Sequence, residues 1–185
     1  MAVEPTRILF TVDDYEALGQ MGFFGHRRLE LIEGEIIEMT PIGPDHGGCV
    51  MILNSLFTSR VGDRAVVNVQ NPVRLGDLSE PQPDLTLLAP PLERYRHRHP
   101  RATDILLLIE VSDTTLRFDR QVKLPVYAKH GVMEVWIVDL KGQAVEIHRQ
   151  PSPDGYAIVE RRGRGQTISS EALPDLVIAV DDIIG

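Results

Sequence analysis

Two acids and a lysine in the middle of the chain have the types and spacing for phosphodiester chemistry. Asp84 heads the run PDLTLL, Glu110 stands near the end of ILLLIEVSD, and Lys123 closes FDRQVK. Carboxylates brought together from neighbouring strands can hold Mg²⁺ or Mn²⁺, which take oxygen ligands and keep waters for substrate phosphate. The backbone carbonyl of Val111 could add a ligand beside Glu110. An ammonium group near such a centre can orient or deprotonate the attacking water and stabilise charge on the phosphate. A plainer reading stands beside this one. On helical spacing Lys123 lies one turn after Asp119, and an exposed pair of that kind contributes only ~0.3–0.5 kcal/mol.

The elements around these residues must place them. Five apolar residues, Ile105 to Ile109, lead into Glu110 without a break, which predicts a strand buried on both faces. A carboxylate at its end must leave the core, be paired, or meet a metal, because an unpaired buried charge costs several kcal/mol. Leu85 to Leu88 predict a shorter strand after Asp84, closed by Pro90-Pro91. Asp113-Thr114-Thr115 predict the cap of a helix running to about His130. Gly131 stands at its end, and Pro125 should kink or shorten it.

Upstream, Thr11 and Asp14 read as a capping box, with Tyr15, Leu18 and Met21 on the apolar side of the helix. Alternation about Glu33-Gly34 predicts a β-hairpin. The acids Glu30, Glu33, Glu35 and Glu38 read there as a solvated face. Asp45 is a candidate cap for a helix whose Val50, Leu53, Leu56 and Phe57 face the core, with His46 in its first turn. Strands are expected at Val66 to Val69, at Val135 to Val138 hairpinned to Val145 to Ile147 across Lys141-Gly142, and at Tyr156 to Val159. A last apolar run spans Leu176 to Val180.

The chain of 185 residues fits one domain spanning 1–185. No apolar run reaches the ~20 residues of a membrane span. A single cysteine, Cys49, excludes an internal disulfide framework and suits a reducing cytoplasm, where it reads as a small core residue. The net charge of −8 speaks against a general polyanion binder. The bases are clustered, however: Arg94, Arg96, Arg98 and Arg101 share one segment with His97 and His99, a candidate contact for backbone phosphates. Zinc-ligand spacing and a Gly-x-Ser-x-Gly element are both absent, which removes a structural zinc site and a serine hydrolase of that type.

Taken together, LELIEGEIIEM, GPDH, EPQPDL and LLLIEVSDTTLRFDRQVKLPVYAKHGVMEVWIVDL resemble the Uma-type endonucleases, a bacterial family in the PD-(D/E)XK nuclease superfamily. The likeness runs from about Thr11 to Ile184. It implies an α/β (α+β) restriction-endonuclease-like core, a mixed central β-sheet flanked by helices, with metal-bound acids on adjacent strands. It implies Asp84 and Glu110 as the paired acids, Glu30 as a further acid, and a matched histidine at His46, assigned to the nucleic-acid contacts. The superfamily pattern puts lysine two residues after the second acid, where this chain has Ser112. Lys123 matches a lysine supplied from the following helix instead. The activity implied is Mg²⁺-dependent cleavage of nucleic acid, with DNA the expected substrate and a homodimer the expected form for cutting both strands. A catalytically silent nucleic-acid-binding module and a protein-interaction domain are the alternatives.

Overall fold

The structure, a computed structural model, describes residues 7–185. Helix α1 (Val12–Gln20) opens on the expected capping box, in which Thr11 and Asp14 satisfy each other's backbone amides. Its apolar side is thinner than the spacing predicts: Val12 is its one buried residue, and Met21 lies exposed. Strands β1 (Leu29–Ile32) and β2 (Glu35–Glu38) form the predicted hairpin. Glu33 and Gly34 both take positive φ at its two-residue turn, the conformation that a tight hairpin requires. A side chain at Gly34 would also strike Leu9, whose Cβ would lie 2.6 Å away.

Helix α2 (Pro44–Val61) is capped by Gly43 with Pro44 in its first turn, so Asp45 sits inside the helix rather than at its cap. Strands β3 (Val66–Val69), β4 (Leu85–Leu88) and β5 (Ile105–Ser112) follow. The basic segment between β4 and β5 holds two short 3₁₀ turns, Leu92–Tyr95 and Ala102–Asp104. After β5 the helix opens on the last of the three candidate cap residues. Thr115 is its N-cap, and the rod divides into α3 (Leu116–Phe118), a wide π-helical turn (Asp119–Lys123) and α4 (Leu124–Lys129). Pro125 lies directly after the wide turn, where the expected break in the helix falls.

The remainder is β6 (Glu134–Asp139), β7 (Ala144–Ser152), β8 (Gly155–Gly163), β9 (Thr167–Ser170), β10 (Leu173–Ala179) and α5 (Val180–Ile184). Strand β9 has no counterpart in the sequence reading. It pairs with β10, which takes up most of the last apolar run.

Six strands form one mixed sheet in the order β3-β4-β5-β6-β7-β8, with β5 and β6 parallel and the other neighbours antiparallel. The segment from α3 to α4 is the crossover that the parallel pair requires. Leu107, Ile109 and Val111 of β5 turn to one face, where Phe57 and Leu53 of α2 pack, with Cys49 buried among them. Leu108 turns to the other face, against Leu124 and Tyr127 of α4. The unbroken ILLLI run is thus explained by helices on both faces of the sheet.

A polar cluster pins the crossover to the outer strands. Arg120, from the wide turn, and Arg161 of β8 both donate to Glu146 of β7, at 3.0 and 2.9 Å. Burial alone would raise the Glu146 carboxyl, but the His148 imidazole and the Arg120 guanidinium outweigh it and hold it down at about 2. The folded value lies below the unfolded one, so this contribution is present above about pH 4.5 and is lost as pH falls toward 2. The loss amounts to roughly 3 kcal/mol at most. Urea melts of Glu146→Gln should show a shallower decline in stability between pH 5 and pH 2 than wild type; equal slopes would assign the acid sensitivity to other carboxylates.

Candidate active site

The register of β4 and β5 pairs Leu85 with Ile109, and its continuation by one residue sets Asp84 opposite Glu110. On the far side of β4, Val69 pairs with Leu85, which brings Gln70 beside Asp84. The sheet therefore delivers both acids to the mouth of one cleft, a cavity of about 300 Å³. Glu30, His46, Val111, Asp119 and Lys123 also line it.

Each acid is held. The backbone amide of Val111 donates to Asp84 Oδ2 at 2.9 Å, Gln70 Nε2 donates to Oδ1 at 3.2 Å, and His46 Nε2 lies 3.0 Å from Oδ2. Burial works to raise the Asp84 carboxyl, but these partners, His46 first, hold it below the usual carboxylate range. The hydrogen bond to Asp84 in turn raises His46. His46 is thus engaged with an acid of the cleft through Nε2, while its Nδ1 is buried without a partner.

Lys123 Nζ donates to Glu110 Oε1 at 3.0 Å and lies 3.2 Å from Glu30 Oε2. The Tyr127 hydroxyl donates to the same Glu110 oxygen, and the Gln82 amide donates to Glu30 at 3.2 Å. Burial is the main force on Glu110, with Asp84 and Asp119 adding to it, and its carboxyl is pushed up to about 8. Burial would lower Lys123, but Glu110, Glu30 and Asp119 override it and keep the amine well above its ordinary value. Lys123 is therefore an ammonium group, a donor rather than a base.

Two readings of the sequence change here. Glu30 is not part of a solvated face: β1 is buried along its whole length, and Glu30 turns inward to Lys123. Nor is Asp119–Lys123 a surface pair, because both residues are buried. Asp119 instead accepts from Ser112 Oγ and Thr115 Oγ1, each at 2.7 Å. Ser112 thus anchors the helix that brings Lys123 in. The wide turn lies at this point, so that Asp119 and Lys123 both line the cleft.

The arginine segment lies elsewhere. None of Arg94, Arg96, Arg98 and Arg101 lines the cleft. Arg98 makes a two-pronged pair with Asp104 at 2.7 and 3.1 Å, and Arg94 stands 3.5 Å from the same carboxylate. Arg28 does line the cleft, although no periodicity marks it in the sequence. Asp119, Tyr127 and Gln70 are likewise additions that the structure makes. Asp119 could have been found from its place one turn before Lys123; the other two carry no local signal.

The sequence matches the profile of the Uma2 family, described as "Putative restriction endonuclease", over residues 12–181. The chain belongs to the Uma2 family. Among solved structures it is similar to "a putative nuclease belonging to DUF820" from Anabaena variabilis ATCC 29413, with a TM-score of 0.75 and 19% identity. The match covers 95% of this chain and 97% of that one, and at this identity it shows the shared fold. No curated protein matches. The six-stranded mixed sheet flanked by helices is thus a Uma2 fold, as the resemblance implied. Among the described residues no helix is long and apolar enough to cross a membrane.

The donors in this Uma2 cleft suit a hard divalent cation, since Asp84, Glu110 and Glu30 offer only oxygen. No three acid or imidazole groups of the cleft close to within 4.8 Å of one another among the described residues.

Proposed function

We propose that this protein is a divalent-cation-dependent endonuclease that hydrolyses phosphodiester bonds in nucleic acid, with DNA as the substrate. The observation that carries the reading is Asp84 facing Glu110 across adjacent central strands, with Lys123 Nζ 3.0 Å from Glu110 in the same cleft. Asp84 and Glu110 would hold Mg²⁺ or Mn²⁺, with the Val111 carbonyl and Glu30 as further oxygens. The cation, when bound, supplies Lewis-acid activation of water and neutralises charge on the leaving oxygen.

The chain's own residues do the rest. An ammonium group has three donors, and Glu110 and Glu30 take two of those on Lys123, which leaves one for the attacking water or a phosphate oxygen. His46 and the Val111 amide fix the rotamer of Asp84. Arg28 at the cleft and the segment from Arg94 to Arg101 beyond it offer charge for backbone phosphates, whose recognition is largely independent of sequence. A symmetric pair of chains would cut both strands of a duplex.

A second reading, a binding module without turnover, is favoured by one observation. Lys123 and His46 already compensate the acids of the cleft.

Incubation of supercoiled plasmid, single-stranded DNA and single-stranded RNA with Mg²⁺ or Mn²⁺ separates the two. Cleavage of DNA that chelation by EDTA abolishes is the expected result. Salt-dependent DNA binding with no product under either metal would put the second reading in its place.

A further inference from the structure

Away from the cleft, three residues from distant parts of the chain converge. Glu16 lies on α1, Glu80 four residues before Asp84, and His99 in the basic segment before β5. One ligand atom from each lies within 4.8 Å of the others, the one such grouping among the described residues. The backbone explains the convergence. Glu80 bridges to Leu31 of β1, with its amide 2.7 Å from the Leu31 carbonyl, and Val12 of α1 donates to Asp77 at 2.8 Å. Arg74 donates to Pro100, the neighbour of His99, also at 2.8 Å.

Proximity of acids alone would not make a site. The deciding feature is Glu80, which is only 3% exposed and whose Oε2 is fully buried with no hydrogen-bond partner. A carboxylate so placed is expensive, and burial together with the neighbouring acid Glu16 pushes its carboxyl up to about 7. The guanidinium in reach, that of Arg74, is drawn off by Asp13 at 2.9 Å and Asp77 at 3.6 Å. Among the described residues no side-chain cation lies within ion-pair distance of Glu80, and Arg74 acts on it only from further off.

We infer that Glu16, Glu80 and His99 form a second divalent-metal site, separate from the cleft and assembled from three distant segments, so that no short ligand spacing marks it in the sequence. Two carboxylate oxygens and an imidazole nitrogen suit a borderline transition metal, Zn²⁺ first, with water as the fourth ligand. Tetrahedral coordination at Zn–ligand distances of about 2.0–2.2 Å draws such atoms to about 3.4 Å apart. His99, exposed and in a loop, would be the residue to close this gap. The ion would tie α1 to the strand entry that carries Asp84 and to the segment that carries the four arginines.

The test is thermal melting and calorimetric titration of the full chain with Zn²⁺ alone, for wild type, His99→Ala, Glu16→Gln and the cleft variant Glu110→Gln. At a hundredfold excess over the dissociation constant, wild type and Glu110→Gln should each gain about 5 °C or more in Tm. His99→Ala, at an exposed position, should fold normally without metal and lose that gain, with affinity down about tenfold or more. Glu16→Gln should behave likewise. No Zn²⁺-dependent gain in wild type would overturn the proposal. So would a gain that survives His99→Ala, or one that Glu110→Gln removes, which would place the ion in the cleft.

Discussion

Replacement of Glu110 by glutamine is expected to lower DNA cleavage by about a thousandfold or more and to leave the fold intact. A group that fixes a catalytic metal carries several kcal/mol of transition-state stabilisation, and each ~1.4 kcal/mol is a factor of ten in rate. The fold should survive because glutamine keeps the shape and an oxygen for Tyr127 and Lys123, while a group that burial already drives toward neutrality becomes neutral outright. Single-turnover cleavage beside a denaturation curve gives both quantities. Cleavage by the variant at the wild-type rate would remove Glu110 from the mechanism.

Lys123→Met tests the other half of the site, and its largest effect is on stability. The substitution leaves Glu30 and Glu110 buried without their shared cation. Breaking a buried pair on one side typically costs about 3–5 kcal/mol. A lowered denaturation midpoint alone would say only that the lysine is structural, so the double variant Glu30→Gln, Lys123→Met is needed. Removal of one stranded charge should recover much of the stability. Cleavage should stay lost, since nothing then donates to the water. A stable double variant that cuts normally would assign Lys123 to folding alone.

The sequence made much of this arrangement legible, and the limits follow from distance along the chain. The ILLLI run specifies a strand covered on both faces because no polar residue interrupts it, and the structure bears that out. The β1–β2 hairpin and α2 are legible for similar local reasons. Local pattern does not single out Glu30, because its neighbours Glu33, Glu35 and Glu38 give the same alternation. What distinguishes it is a lysine that arrives from the crossover helix, far along the chain. Asp119 and Lys123 present a helical pair of opposite charge, and only the packing of the crossover shows that both turn inward. The arginine cluster is visible as composition, but Asp104 as the partner of Arg98 and Arg94 is a tertiary fact. Strand β9 is short and polar, and it is recruited by β10 rather than by its own propensity.

The place of Lys123 on the crossover, rather than two residues beyond Glu110 on the strand, has a consequence for assembly. A lysine on the same strand would meet its acid as soon as that strand formed. Here the cation joins only when the crossover helix docks on the sheet, and Glu30 joins only when the N-terminal hairpin does. Loop closure of that order comes late, because non-local contacts repay their entropy last. On the function proposed, the cleft would be complete only once both the crossover helix and the N-terminal hairpin have docked on the sheet.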